Sequence, residues 1–212
     1  MNDRCFILGA APSLLNEDLD LIKNEDIFTC NRGYKIKSLG LDFKYYVLSD
    51  RKHAQEFYKE IEQETSHAKR FFSSVLRRKK TIEVFNNRYT VFNRSSDLLT
   101  KFPDTLDQGW GKTRNVVTDA IIIAYFLDYK EIYLLGVDLD YSNDNNHFYE
   151  ESSFETRHKN KVPDNLQEIL NGLKFVSDEL KKKNVNVINL SKGFSHTKYL
   201  QTNRLEYIHG KK

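Results

Sequence analysis

Two histidines, His147 and His158, fall in a polar, aromatic stretch spanning residues 138–162, which also holds Asp138, Asp140 and Tyr141. An unperturbed imidazole titrates near neutral pH, so either histidine is a candidate general base for a hydroxyl nucleophile. A solvated loop histidine is the plain alternative for both. Asp138 could orient such a base, hold a cation or cap a strand end. A second constellation is the small-residue turn Gly9-Ala10-Ala11-Pro12-Ser13. Backbone N–H groups and a serine hydroxyl in such a turn can hold a phosphate. The turn lacks the three-glycine dinucleotide fingerprint and the lysine of a phosphate loop. An ordinary tight turn with Ser13 as helix N-cap accounts for it equally well.

These residues need elements to bring them together, and the apolar pattern supplies them. Arg4–Leu8, Asp26–Cys30 and Phe43–Leu48 read as buried strands. Between and after them, Leu14–Lys23, Asn31–Ser38 and Arg51–Glu64 read as helical or turn segments. Strand, helix, strand, helix, strand with short links points to a parallel sheet in an α/β fold. Arg70–Val75 and Thr81–Phe92 are further strand candidates, separated by the basic run Arg77-Arg78-Lys79-Lys80, and Asp107–Gly111 reads as a loop. Val116–Leu127 is a strongly apolar helix, and Glu131–Val137 is a strand buried on both faces. Pro163-Asp164 opens a helix running to about Lys183, with lysines at its C-terminal end, and Val185–Leu190 is a last strand. The stretch 138–162 is too long for a simple connection and reads as a lid.

The expectation is one Rossmann-like α/β domain over residues 1–212, with a mainly parallel sheet of about six strands, flanking helices and a lid loop. In such a sheet ligands sit beyond the carboxyl ends of the strands. That edge would gather Gly9, Ala10 and Ser13, then Asn31 and Arg32, then Ser49 and Asp50, then Asp138. Trp110, between two glycines, could stack on a sugar or base, but more often is simply half buried. The basic run is read as a solvated face, or as a contact to an anionic acceptor or membrane surface.

Composition narrows the partners. Thirty-three basic and 30 acidic residues give a net charge of +3, too balanced for a general nucleic-acid coat. Mean hydropathy is −0.64, and no apolar run is long enough to cross a bilayer. The two cysteines, Cys5 and Cys30, lie in apolar runs without histidines at zinc-ligand spacing. They are expected as buried reduced thiols in a cytoplasmic protein, and no signal-peptide pattern opens the chain.

Ile-Leu-Gly-Ala-Ala-Pro-Ser-Leu at 7–14, Phe-Thr-Cys-Asn-Arg at 28–32 and Tyr-Lys-Glu-Ile-Tyr-Leu-Leu-Gly-Val-Asp at 129–138 occur in that order. Together they resemble the metal-independent bacterial sialyltransferases that use a CMP-activated sugar. They are also similar to a broader group related to motility accessory factors and archaeal hydroxymethylpterin pyrophosphokinases, in which a His-Phe-Tyr element, here 147–149, often follows the Gly-Val-Asp strand. The resemblance covers residues 4–50 and 112–190. It implies that Gly9, Ala10 and Ser13 hold a nucleotide, that Asn31 contacts its base or ribose, and that Ser49 or Asp50 adds a polar contact. Thr113–Thr118, including Asn115, stands where the family carries a Thr-Ser-Gly stretch that contacts the donor, but the motif itself is not kept. Tyr141, one residue out of register, is the candidate for stabilising the departing phosphate, and His147 or His158 for the base.

The reading that follows is a glycosyltransferase using a nucleotide-activated, CMP-linked sugar in bacterial surface-glycan synthesis. It needs no cofactor and no metal, so the Asp-x-Asp spacing of Asp138 and Asp140 counts as accidental. Its acceptor would be a glycan or lipid-linked glycan, which leaves room for peripheral contact at the inner membrane face and for a homo-oligomer. An ATP-dependent pterin-type pyrophosphokinase is the alternative, and it would revive Asp138 and Asp140 as magnesium ligands. A degenerate, non-catalytic nucleotide-binding module is the third.

Overall fold

The computed structural model describes residues 3–79, 81–85, 89–140, 146–158 and 165–191. Seven strands form one sheet: β1 (Arg4–Leu8), β2 (Ile27–Cys30), β3 (Tyr45–Leu48), β4 (Lys69–Ser73), β5 (Tyr89–Phe92), β8 (Glu131–Leu135) and β9 (Asn186–Asn189). Their order is β5-β4-β3-β2-β1-β8-β9, and every neighbouring pair is parallel. The expected α/β fold with a parallel sheet and flanking helices is what the chain adopts.

Parallel strands buried on both faces need apolar residues at every position, which is why their sequences run apolar without alternation. On β1, Cys5 and Ile7 face one side with α2 (Val116–Phe126) and α4 (Leu166–Lys182). Phe6 and Leu8 face the other, with Ala54 and Ile61 of α1 (Arg51–Thr65) and with Tyr34. The middle of α2, from Val117 to Ala124, is buried throughout; its apolar residues require this, and Asp119 among them is satisfied by Arg94, Trp110 and Thr113. In α4 the apolar residues Ile169, Leu173, Val176 and Leu180 form one buried stripe.

Several expectations need correction. Leu14–Lys23 is not one helix but two 3-10 turns, Pro12–Asn16 and Leu19–Ile22. Among the described residues of Thr81–Phe92 only Tyr89–Phe92 is a strand, and Thr81–Val84 is a 3-10 turn. The Asp107–Gly111 loop ends in a strand: β7 (Trp110–Lys112) pairs in parallel with β6 (Arg94–Leu98) as a separate ribbon. Trp110 is 5% exposed rather than half buried, stacked on Phe92 at 4.8 Å. Its indole N–H donates to Asp119 at 2.8 Å. The lid contains a short helix, α3 (Ser153–His158). Tyr141, lid residues 159–162 and Pro163-Asp164 lie outside the described residues.

β1 is the switch point of the sheet. From it the chain builds outward to β5, returns through the ribbon and α2, and resumes with β8 on the other flank of β1. The turns after β1 and β8 meet there: the Gly9 N–H donates to Leu135 O at 2.8 Å, and Ala11 N–H to Gly136 O at 3.0 Å. A Cβ on Gly9 would stand 2.1 Å from Gly136 O, so glycine is required by that close approach.

Candidate functional site

A cleft of about 830 Å³ opens at the carboxyl edge, centred on the switch point. Gly9, Ala10, Asn31, Arg32, Ser49, Asp50, Asn115, Asp138, Asp140 and His147 all line it. The parallel sheet brings all but His147 together, because each of these follows the carboxyl end of a strand or opens the next helix; His147 comes from residues 146–158. Ser13 stands behind the lining. It is not an N-cap, since Ala11 holds that place without a side-chain bond; instead its hydroxyl donates to Asp138 Oδ1 at 2.5 Å. Burial raises the Asp138 carboxyl above its ordinary range, the Ser13 bonds pull the other way, and Asp140 adds to the rise.

Asn31 is held in the left-handed region at φ 49°, where its carbonyl accepts the Tyr46 hydroxyl at 2.8 Å. Its side-chain Oδ1 is buried with no hydrogen-bond partner among the described residues. A buried acceptor left unpaired carries its full desolvation cost, so a ligand donor placed there would be favoured. Arg114, Gly136 and Leu139, also at positive φ, line the same cleft.

Asp50 and Asn115 cap helices. Asp50 accepts from the N–H of Lys52 at 2.7 Å and of His53 at 3.1 Å, opening α1. Asn115 accepts from the Val117 N–H at 2.9 Å, opening α2. Ser49 is buried at the cleft wall.

Residues 146–158 form a strap across the cleft mouth. Its Phe148 N–H donates to Ala10 O at 2.8 Å. Within it, His147 Nδ1 lies 2.7 Å from Glu151 Oε1, and the imidazole stacks on Tyr149 at 5.0 Å. A carboxylate on Nδ1 orients an imidazole for proton transfer at Nε2. His158 belongs to α3 by its backbone, and its side chain lies outside the described residues.

Arg32 is 7% exposed, and its guanidinium donates to Glu155 Oε2 at 2.5 Å and to Glu60 at 3.5 Å. It lies over Phe57 at 4.3 Å and Tyr149 at 5.2 Å. His53 stands 3.4 Å from Asp50 and 3.9 Å from Glu155. Burial disfavours its charge, but the two carboxylates outweigh that and push it up to about 9. Burial would raise Glu155, yet His53, Ser152 and Arg32 together hold its carboxyl well below the usual range.

Sequence reasoning missed His53, Glu151 and Glu155, and marked Tyr149 only as part of the His-Phe-Tyr element. One signal was present. Ser152-x-x-Glu155 is a capping box: the Ser152 N–H donates to Glu155 Oε2 at 2.9 Å, and the Glu155 N–H returns to Ser152 Oγ at 3.3 Å. No cluster of three or more His, Cys, Asp or Glu suited to a metal occurs among the described residues. Cys30 reaches the cleft wall, and burial, with Asp119 adding to it, keeps its thiol protonated. A second cavity, of about 530 Å³, lies against the β6–β7 ribbon without a histidine in its lining.

A family model described as 6-hydroxymethylpterin diphosphokinase MptE-like matches residues 1–144. No curated protein matches the chain. Among solved structures it is similar to one described as the sialyltransferase CstII from Campylobacter jejuni in complex with a substrate analogue, CMP-3FNeuAc. The TM-score is 0.54 at 16% identity, covering 93% of this chain and 84% of that one. At that identity the likeness is one of fold. Both resemblances read from the sequence motifs are thus met.

Proposed function

The chain belongs to the MptE-like family, and we propose that it is a transferase passing a nucleotide-activated group to a hydroxyl acceptor. Within that class we favour transfer of a CMP-linked sugar to a glycan or lipid-linked acceptor in bacterial surface-glycan synthesis, on the cytoplasmic side of the membrane. The observation that carries this reading is one cleft in which an orphaned amide acceptor, Asn31 Oδ1, shares a wall with an imidazole braced by a carboxylate, His147 with Glu151. The first suits a nucleotide, the second a hydroxyl that must lose its proton. The fold likeness, which covers 93% of the chain where the family match stops at residue 144, supports it.

In the proposed reaction the Gly9–Ala11 turn and Asn31 hold the nucleotide. His147 takes the proton of the acceptor hydroxyl as its oxygen bonds to the anomeric carbon. The bond from that carbon to the phosphate oxygen breaks, and its electron pair leaves with CMP. Direct displacement of this kind gains from the strap, which excludes water that would otherwise hydrolyse the donor.

The diphosphokinase reading rests on Asp138 and Asp140, which sit together in the cleft. Two carboxylates beside a phosphate are a donor set that suits magnesium, which would neutralise phosphate charge there. The hydroxyl nucleophile and His147 would keep the same roles.

A thermal-shift panel of CMP, CDP, UDP, GDP and ATP, with and without magnesium, separates the readings. A nucleotide at a hundred times its dissociation constant adds about 2.7 kcal/mol, a rise of about 5–10 °C for a chain of this size. Stabilisation by CMP without metal supports sugar transfer. Stabilisation by ATP only with magnesium supports the kinase, and no response to any nucleotide refutes both.

A further inference from the structure

We infer that Arg32 and Glu155 are positioning residues: their buried pair anchors the strap to the body of the protein and so places His147 over the cleft. The inference rests on the reading of that cleft as a site where a hydroxyl is activated.

The bonds of the strap sort into two kinds. One kind is internal. The Asn146 N–H donates to Glu151 at 3.0 Å, His147 Nδ1 meets the same carboxylate, and Ser152 and Glu155 bond reciprocally. These set the shape of residues 146–158 but not their place on the molecule. The other kind is external. Phe148 bonds the backbone of Ala10 at one end. At the other, Glu155 enters the pair with Arg32, which follows β2, and faces His53 on α1, while Phe154 adds apolar edge-on contacts to the His53 and Phe57 rings at 5.7 Å.

From Glu155 a continuous line of contacts runs back to the base. Glu155 Oε1 accepts the Tyr149 hydroxyl at 3.0 Å, and the Tyr149 ring stacks on the His147 imidazole with 15° between planes. Arg32 is itself clamped between the Phe57 and Tyr149 rings. A carboxylate 6% exposed, placed on a guanidinium 7% exposed, gives a directional, poorly screened anchor. A base displaced by about 1 Å costs on the order of a hundredfold in rate, so an anchor at this distance from the imidazole can govern turnover without touching substrate.

Hydrogen exchange on the intact protein reads the anchor directly, and steady-state kinetics reads its consequence. Glu155→Gln keeps the shape and removes the charge. It should speed amide exchange across 146–158 by about tenfold or more while β1, β2 and β8 stay protected. It should also lower kcat by about 10- to 100-fold, with nucleotide affinity within about threefold of wild type. Arg32→Gln, which removes the other half of the pair, should speed exchange over 146–158 in the same way, and that exchange readout carries the test if Glu155→Gln does not fold. Unchanged exchange over 146–158 in the folded variants overturns the anchor. Faster exchange with unchanged kcat overturns the positioning role. If the wild-type protein transfers nothing from any donor, the proposed function falls, and the exchange result still decides whether Glu155 holds the strap.

Discussion

The residues of the cleft divide by what already engages them. Asn31→Asp keeps the unpaired acceptor but replaces the amide N–H donors with a carboxylate whose charge opposes a nucleotide phosphate, so nucleotide affinity should fall about tenfold or more. Equilibrium titration of the folded variant checks this, and unchanged affinity removes Asn31 from the site. His147 is braced but stands at the cleft surface, so His147→Ala should leave nucleotide binding intact and cut turnover by about 10²- to 10⁴-fold. Full activity in that variant would shift the base to His158. His53 has a different part. Its pKa is raised from 6.5 to about 9, so its contribution to stability is complete below about pH 6.5 and is lost as pH rises through 9. The loss should be on the order of 2–3 kcal/mol. Denaturant melts across that range should show the slope in wild type, and a flat profile is expected for His53→Gln.

At the scale of elements, α2 shows how a capping residue and a buried acid set the cleft wall. Asn115→Ala removes the cap and should cost about 1 kcal/mol. The same variant tests a donor contact: a loss of affinity larger than the loss of stability would show that the amide also meets ligand. Asp119 of α2 is fully buried and accepts from Arg94, Trp110 and Thr113 at 2.8–3.0 Å, tying the β6–β7 ribbon to the helix. Asp119→Asn leaves Arg94 facing a neutral group, and a loss of about 3–5 kcal/mol is expected in urea melts. A loss under 1 kcal/mol would mean that the ribbon is held by its apolar contacts instead.

For the molecule as a whole, one sheet carries two apolar layers. Ile7 and Leu8 are adjacent on β1, fully buried, and belong to opposite layers. Ile7→Ala and Leu8→Ala should each cost about 2–5 kcal/mol and lower the same unfolding transition, because both layers rest on one set of strands. Far-UV circular dichroism reports the sheet and helices, while Trp110 fluorescence reports only the α2 layer. Coincident curves are expected in both variants, and separate transitions would show that the layers unfold independently. No helix among the described residues is long and apolar enough to cross a membrane.

The parallel sheet was legible in the chain because strands buried on both faces must be apolar at nearly every position, as Cys5–Leu8 and Ile132–Leu135 are. The cleft edge was legible for the same reason, since polar residues can begin only where those runs stop: Asn31, Ser49, Asp50 and Asp138 each follow one. Local signals also located α1 and α2; the Ser152-x-x-Glu155 spacing that caps α3 was equally local, since a cap and its partner lie within four residues of each other, but it went unread. What no local pattern carries is pairing across distance. The β6–β7 ribbon, the Ser13–Asp138 bond spanning 125 residues and the Arg32–Glu155 pair spanning 123 depend on which strand lies beside which. In the sequence Arg32 was one more polar residue after a strand, placed with Asn31 at the edge expected to hold a nucleotide. Only the folded chain, by seating β1 between β2 and β8 and drawing the strap back over both, supplied it with a carboxylate of its own.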